Sequence, residues 1–152
     1  MKYIILITFL TLISCRTQKT GDQMGELATK IELNKTTYKQ DEAIELTFTV
    51  SNLHDNTVSF LKWQTPLESR LTASCFAIIY NEEELTYNGI MIKRSESTKH
   101  DYVTLNSGES ISKTIDIKND YSIDKPGQYS IQFYGRLMND LSDSNTLKFE
   151  IQ

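Results

Sequence analysis

The chain has 152 residues, a formal net charge of −4, 39% hydrophobic and 10% aromatic residues. That length fits one domain with a short leader, and the apolar content suffices for a single core. With 20 acidic against 16 basic residues and no Lys/Arg run, nothing marks a nucleic-acid interface or a polybasic membrane surface.

The leader comes first. MKYIILITFLTLIS carries one basic residue and an apolar run from Tyr3 to Ile13. The run falls short of the roughly 20 residues that span a bilayer, so residues 1–14 are expected to be a secretion signal. Leu12-Ile13-Ser14-Cys15 resembles a bacterial lipobox. The resemblance implies cleavage before Cys15, diacylglycerol on its sulfur and N-acylation, palmitate among the acyl chains. Each buried CH₂ of an acyl chain adds about 0.8 kcal/mol, so several chains anchor a protein stably. Residues 15–26 are then the lipidated Cys and a flexible tether, because Arg16 to Glu26 is polar and contains glycine. By resemblance to Gram-negative lipoproteins, the absence of Asp after Cys15 implies the outer membrane. The absence of an acidic run there points to its periplasmic face.

Residues 27–152 read as one all-β domain, an antiparallel β-sandwich of seven to nine short strands. Ala28 to Leu33 alternates and begins it. A polar connection with an edge piece at Tyr38 follows. From Ala43 to Val50 the alternation is clean: Ile44, Leu46, Phe48 and Val50 share one face, which is expected to be core. Ser51 to Asn56 is a turn. Val58 to Trp63 has apolar residues on both faces, which predicts a strand near the middle of a sheet or a twist in one. Ser74 to Tyr80 is strongly apolar, Asn81 to Glu84 forms a charged hairpin tip, and Leu85 to Ile92 is expected to return as a strand.

Lys93 to His100 is a polar loop. Tyr102 to Leu105 is a short strand, and Asn106 to Glu109 is a turn with Gly108 at positive φ. Ile111 to Ile117, Gln128 to Phe133 after the Pro126-Gly127 turn, and Thr146 to Ile151 complete the set. One helical turn is expected at Asn119 to Ser122. Turn signals recur at roughly the 8–12 residue spacing of sandwiches. Phe48, Trp63 and Phe133 are expected at its centre.

The chemistry of catalysis is thinly represented. His54 and His100 each sit in a polar loop, and HExxH does not occur, so neither a zinc site nor any other metal or cofactor is expected. Cys75 lies in an apolar run and has no disulfide partner once Cys15 is lipidated, so a buried inert thiol is expected. Ser107-Gly108-Glu109-Ser110 lacks the G-x-S-x-G pattern, and Glu82-Glu83-Glu84 reads as a solvated tip that discourages edge pairing.

A run of ordered motifs resembles a known family. Phe60-Leu61-Lys62-Trp63-Gln64-Thr65-Pro66-Leu67-Glu68 is similar to L-K-W-x-T-P-L-E in the non-catalytic N-terminal domain of deuterolysin-like, lysine-specific metallopeptidases. Tyr87 to Arg94 resembles that domain's Y-x-G-x-x-x-K-R. Asp101 to Leu105 resembles D-Y-x-x-L, Gly108 to Ser112 resembles G-E-S-V-S, and Pro126 to Tyr129 resembles P-G-x-Y. The likeness covers about Ile31 to Phe133.

It implies an immunoglobulin-like sandwich without peptidase activity, because the family's HExxH and downstream zinc-binding Asp have no counterpart in these 152 residues. The expected function is a non-enzymatic, lipid-anchored envelope module that binds or assists another protein. Its candidate surface is Gln64, Glu68, Tyr87, Lys93 and Arg94, and its partners are the membrane through Cys15 and a protein such as a peptidase. The alternative is an inhibitor or chaperone of a co-exported metallopeptidase. A weaker likeness of Thr47 to Asn52 and of the Gly108 and Pro126-Gly127 turns to bacterial intracellular proteinase inhibitors keeps that alternative open.

Overall fold

The computed structural model describes residues 27–135 and 138–152; the expected secretion signal, Cys15 and the expected tether lie outside the described residues. Among the described residues ten strands run in the order β1 (Leu27–Leu33), β2 (Thr37–Tyr38), β3 (Glu45–Asn52), β4 (Val58–Leu61), β5 (Phe76–Tyr80), β6 (Glu83–Glu84), β7 (Tyr102–Leu105), β8 (Ser110–Asp116), β9 (Gly127–Phe133) and β10 (Leu147–Ile151). Three strands, β1-β3-β8, form one sheet. Five, β2-β10-β9-β5-β6, form the other, and β4 pairs with β7 as a ribbon. No helix among the described residues is long and apolar enough to cross a membrane.

Period-two alternation builds the core. Ile44, Leu46, Phe48 and Val50 are all fully buried, as their spacing demands. The register sets Ile31 beside Phe48 and Val50 beside Ile111, so one face of the three-stranded sheet is apolar. On the other sheet Phe76 pairs with Phe133 and Ile78 with Ile131. The layers meet where the Phe48 and Phe133 rings lie 4.7 Å apart, and Tyr129 stacks on Phe149 at 5.2 Å. The opposite face of β3 and β8 is a hydroxyl ladder: Thr47 with Thr114, Thr49 with Ser112 and Ser51 with Ser110, each 2.8 Å apart.

The turns follow their chemistry. Asn81 and Glu82 both take positive φ, 50° and 67°, closing a two-residue hairpin at the charged tip. Gly108 has φ 74° in the turn from β7 to β8. Asn52 is fully buried and spans this junction, donating to Leu105 O at 3.0 Å and Asn56 O at 2.8 Å.

Four expectations need correction. Val58 to Trp63 is not mid-sheet: β4 ends at Leu61 and pairs only with β7. Lys62 N adds one more ladder bond, to Asp101 O at 2.9 Å, before Gln64 turns the chain with φ 58°. Leu85 to Ile92 is not a strand. Leu85 N still bonds to Ile78 O at 2.7 Å beside β5, and Asn88 N to Asp120 O at 2.8 Å makes a single bridge, Tyr87 with Tyr121, but Ile92 N goes to Thr72 O at 3.1 Å and no ladder continues. Strand pairing is not wholly antiparallel, since β2 runs parallel to β10. The helical turn is a 3-10 turn at Ile117–Asn119, earlier than expected.

Candidate functional site

The chain leaves β4 at Lys62 and enters a tight loop held by its own polar atoms. Thr65 Oγ1 donates to Lys62 O at 2.6 Å and accepts from Leu67 N at 3.2 Å. Lys62 Nζ donates to His100 O at 2.7 Å. Trp63 is buried at 4% exposure, yet it lies outside the contiguous cluster that holds Phe48 and Phe133. Its Nε1 donates to Asp101 Oδ1 at 2.9 Å, and its carbonyl accepts from Asn139 Nδ2 at 3.2 Å. The Arg94 guanidinium covers the indole at 4.7 Å from the ring centre.

Glu68 is the hub. At 6% exposure it does not project into solvent. Its Oε2 accepts from Gln64 N at 2.9 Å and from Thr72 Oγ1 at 2.6 Å, and its Oε1 pairs with Arg94. A buried carboxylate is tolerated when its lone pairs are filled in this way. Its backbone carbonyl receives Lys113 Nζ. Lys113 stands beside Phe48 on the apolar face of β8, so its stem runs over the core while the ammonium reaches the loop.

Asp101 closes the network from the other side. Thr98 N and Thr98 Oγ1 each donate to its Oδ2 at 2.9 Å. These bonds, together with the one from Trp63, hold its carboxyl down at about 2.

Of the five candidate residues, three converge: Gln64 through its amide, Glu68 and Arg94. Tyr87 lies elsewhere. It packs edge-on against Tyr121 with ring centres 5.4 Å apart, and its hydroxyl donates to Ile90 O at 3.0 Å. Burial and the nearby Asp120 carboxylate push it up to about 12. Lys93 is exposed. Gly89 is needed beneath Tyr87, since a Cβ there would overlap Tyr87 Oη and Asp120 Oδ1.

The separate sequence motifs are therefore parts of one contact set. Trp63 of the first meets Asp101 of the third, and Glu68 of the first meets Arg94 of the second. Asp101, Thr72, Asn139 and Lys113 join the site without being among the five candidate residues. Asp101 opens the D-Y element and could have been found there. Thr72, Asn139 and Lys113 carry no sequence signal of their contacts.

The remaining reactive groups stand apart. His54 and His100 are both exposed. Cys75 is fully buried, and burial raises its thiol well above the ordinary range. Among the described residues no three His, Cys, Asp or Glu side chains gather as metal ligands.

The immunoglobulin-like domain pattern matches residues 30–145, and the chain belongs to that family. Over 90 residues, 59% of its length, the chain is 29% identical to an extracellular protease of Aeromonas hydrophila. It spans 25% of that relative's length. Among solved structures, it is similar to the CARDB domain of a Pyrococcus furiosus protein in complex with di-metal ions. That likeness has 14% identity and a TM-score of 0.44, and covers 86% of this chain and 90% of that one. A β-glucosidase from Listeria innocua in complex with isofagomine is similar at 13% identity and a TM-score of 0.44, over 83% of this chain and 16% of that one. These two likenesses say nothing about ligand or activity.

Proposed function

We propose that the protein is a non-enzymatic accessory module, anchored through lipidated Cys15 at the cell envelope, that binds an exported peptidase. The observation that carries this reading is its relation to a quarter of an extracellular protease, within a chain matched to the immunoglobulin-like family over most of its length. Such domains commonly serve as platforms whose function lies in surface sites. The finer proposal is that this domain corresponds to the non-catalytic N-terminal domain of deuterolysin-like peptidases. The Trp63–Asp101 and Glu68–Arg94 contacts support it, because they give the ordered motifs a shared physical purpose. Gln64 and Lys93 would provide partner contacts, while Glu68 and Arg94 shape the surface beneath them.

The second reading, inhibition or chaperoning of that peptidase, rests on the same relation. One titration separates the two. The lipidated chain in detergent is added to a purified zinc-dependent extracellular peptidase, and binding and hydrolysis are both followed. Binding with unchanged hydrolysis supports the accessory module, and binding with lost hydrolysis supports the inhibitor. Absence of binding at tens of micromolar refutes both. In cells, Cys15→Ala should move the protein out of the membrane fraction; retention there would refute the anchor.

A further inference from the structure

Ile90, Met91 and Ile92 are consecutive in the chain and 44%, 77% and 48% exposed. Leu53, Tyr102 and Tyr134 are exposed too, but each stands alone between polar or covered neighbours, as single surface apolar residues commonly do. The run of three is pinned at both ends. Before it, Asn88 N donates to Asp120 O at 2.8 Å and Asn88 Nδ2 to Ser122 Oγ at 2.9 Å. At its end, Ile92 N donates to Thr72 O at 3.1 Å, and Arg94 is tied to Glu68. An apolar contact made by a segment already held in place carries little ordering cost.

Shape selects what covers the run, because charge does not. Ile90 lines a groove of about 570 Å³ whose other walls carry Arg70 and Lys113 but also Asp116 and Asp120, so both signs stand beside it. Met91 and Ile92 lie outside that groove, and Met91 projects furthest. Successive side chains point in different directions along a helix or a strand. Three exposed neighbours therefore show apolar surface on more than one side of the chain, which makes a ridge. A flat protein surface would cover one side of a ridge. A fluid lipid interface closes around all of it.

The chain brings such an interface within reach. From Cys15 to Leu27 is 12 residues, a span of at most about 40 Å. A domain of this size has a radius of gyration of about 14 Å, so any of its faces can come to a bilayer that holds Cys15. A second contact made from a tethered position is intramolecular in effect, so a weak apolar contact suffices.

We propose that Ile90, Met91 and Ile92 are a membrane-contact ridge that enters the boundary between headgroups and acyl chains of the bilayer in which Cys15 is anchored. Penetration stops about 5–10 Å deep, where water and headgroups still serve the backbone. The ridge fixes which face of the domain lies on the membrane, and Gln64 and Lys93 stay open to a protein partner. The proposal rests on the lipid-anchor reading and adds an orientation to it.

The test puts an environment-sensitive fluorophore on the ridge. Met91→Cys is labelled with a nitrobenzoxadiazole reagent in the full lipidated chain; Cys15 is acylated and Cys75 is fully buried, so position 91 takes the label. Lys148→Cys, exposed on β10, is the control. Both proteins are reconstituted in vesicles of phosphatidylethanolamine and phosphatidylglycerol, with and without lipids that carry a nitroxide on the acyl chain. The label at position 91 should shift to the blue, and the nitroxide should quench it at least about three-fold more than the label at position 148. Ile90→Asp together with Ile92→Asp should abolish both effects while the protein stays on the vesicles.

Equal quenching at the two positions, or none at position 91 in protein that stays on the vesicles, overturns the ridge and leaves the anchor standing. A blue shift that grows with protein concentration in the absence of vesicles also overturns it and assigns the run to a second copy. Mass spectrometry of the same sample reads the anchor. If Cys15 carries no lipid, the Cys15→Ala chain labelled at position 91 is added to the same vesicles. Quenching there keeps the ridge without the anchor, and its absence removes both.

Discussion

Glu68→Ala is the most informative single substitution. The side chain is 6% exposed, fills its acceptor positions with Gln64 N and Thr72 Oγ1, and pairs with Arg94, whose side chain is 23% exposed. Breaking a buried pair by removing one partner costs about 3–5 kcal/mol. Partial exposure of Arg94 screens its charge and favours the low end, about 3 kcal/mol. The stranded Gln64 amide and Thr72 hydroxyl add about 1 kcal/mol each. The sum is about 5 kcal/mol, or roughly 10–20 °C in Tm for a domain of this size.

Glu68→Gln keeps an acceptor and should lose less, about 1–2 kcal/mol. A double-mutant cycle with Arg94→Met should show a coupling of about 1–3 kcal/mol. Urea unfolding followed by Trp63 fluorescence reads all five proteins. A loss below about 1 kcal/mol in Glu68→Ala, together with abolished partner binding, would refute the structural role and return Glu68 to the contact surface.

Phe48→Ala, at the junction of the two layers, should cost about 3–5 kcal/mol, measured by the same unfolding. Asn52→Ala strands the Leu105 and Asn56 carbonyls and should cost about 2–4 kcal/mol; a loss within error would show that water replaces the side chain. Asp101 has a folded pKa below its unfolded value, so its stabilising contribution is present above about pH 4 and is lost as pH falls toward 2. Urea midpoints against pH should show this decline, and Asp101→Asn should flatten it. Cys75 should resist maleimide in the native protein and react on unfolding, whereas native labelling would contradict its burial.

Much of the fold is written in local pattern. The alternation from Ile44 to Val50 names the core face directly, because a strand's side chains have no freedom to choose sides. The same rule misleads at Leu85 to Ile92. There the apolar residues continue, but Gly89 brings the backbone against Tyr87 and Asp120, and the three that follow face solvent. Glu68 shows the other limit. A carboxylate four residues past Gln64 looks like surface. Its burial depends on Arg94, 26 positions away, and on a turn at Gln64 with φ 58° that no local signal announces. The outer place of β8 in its sheet is likewise invisible in sequence, since it depends on β7 pairing with β4.

The proposed membrane anchoring is tested most directly by intact mass spectrometry of the protein extracted from cell membranes. The account predicts a polypeptide beginning at Cys15 whose mass exceeds that of residues 15–152 by a diacylglyceryl group and an N-acyl chain. A chain that begins elsewhere, or that begins at Cys15 with no added lipid, would contradict it.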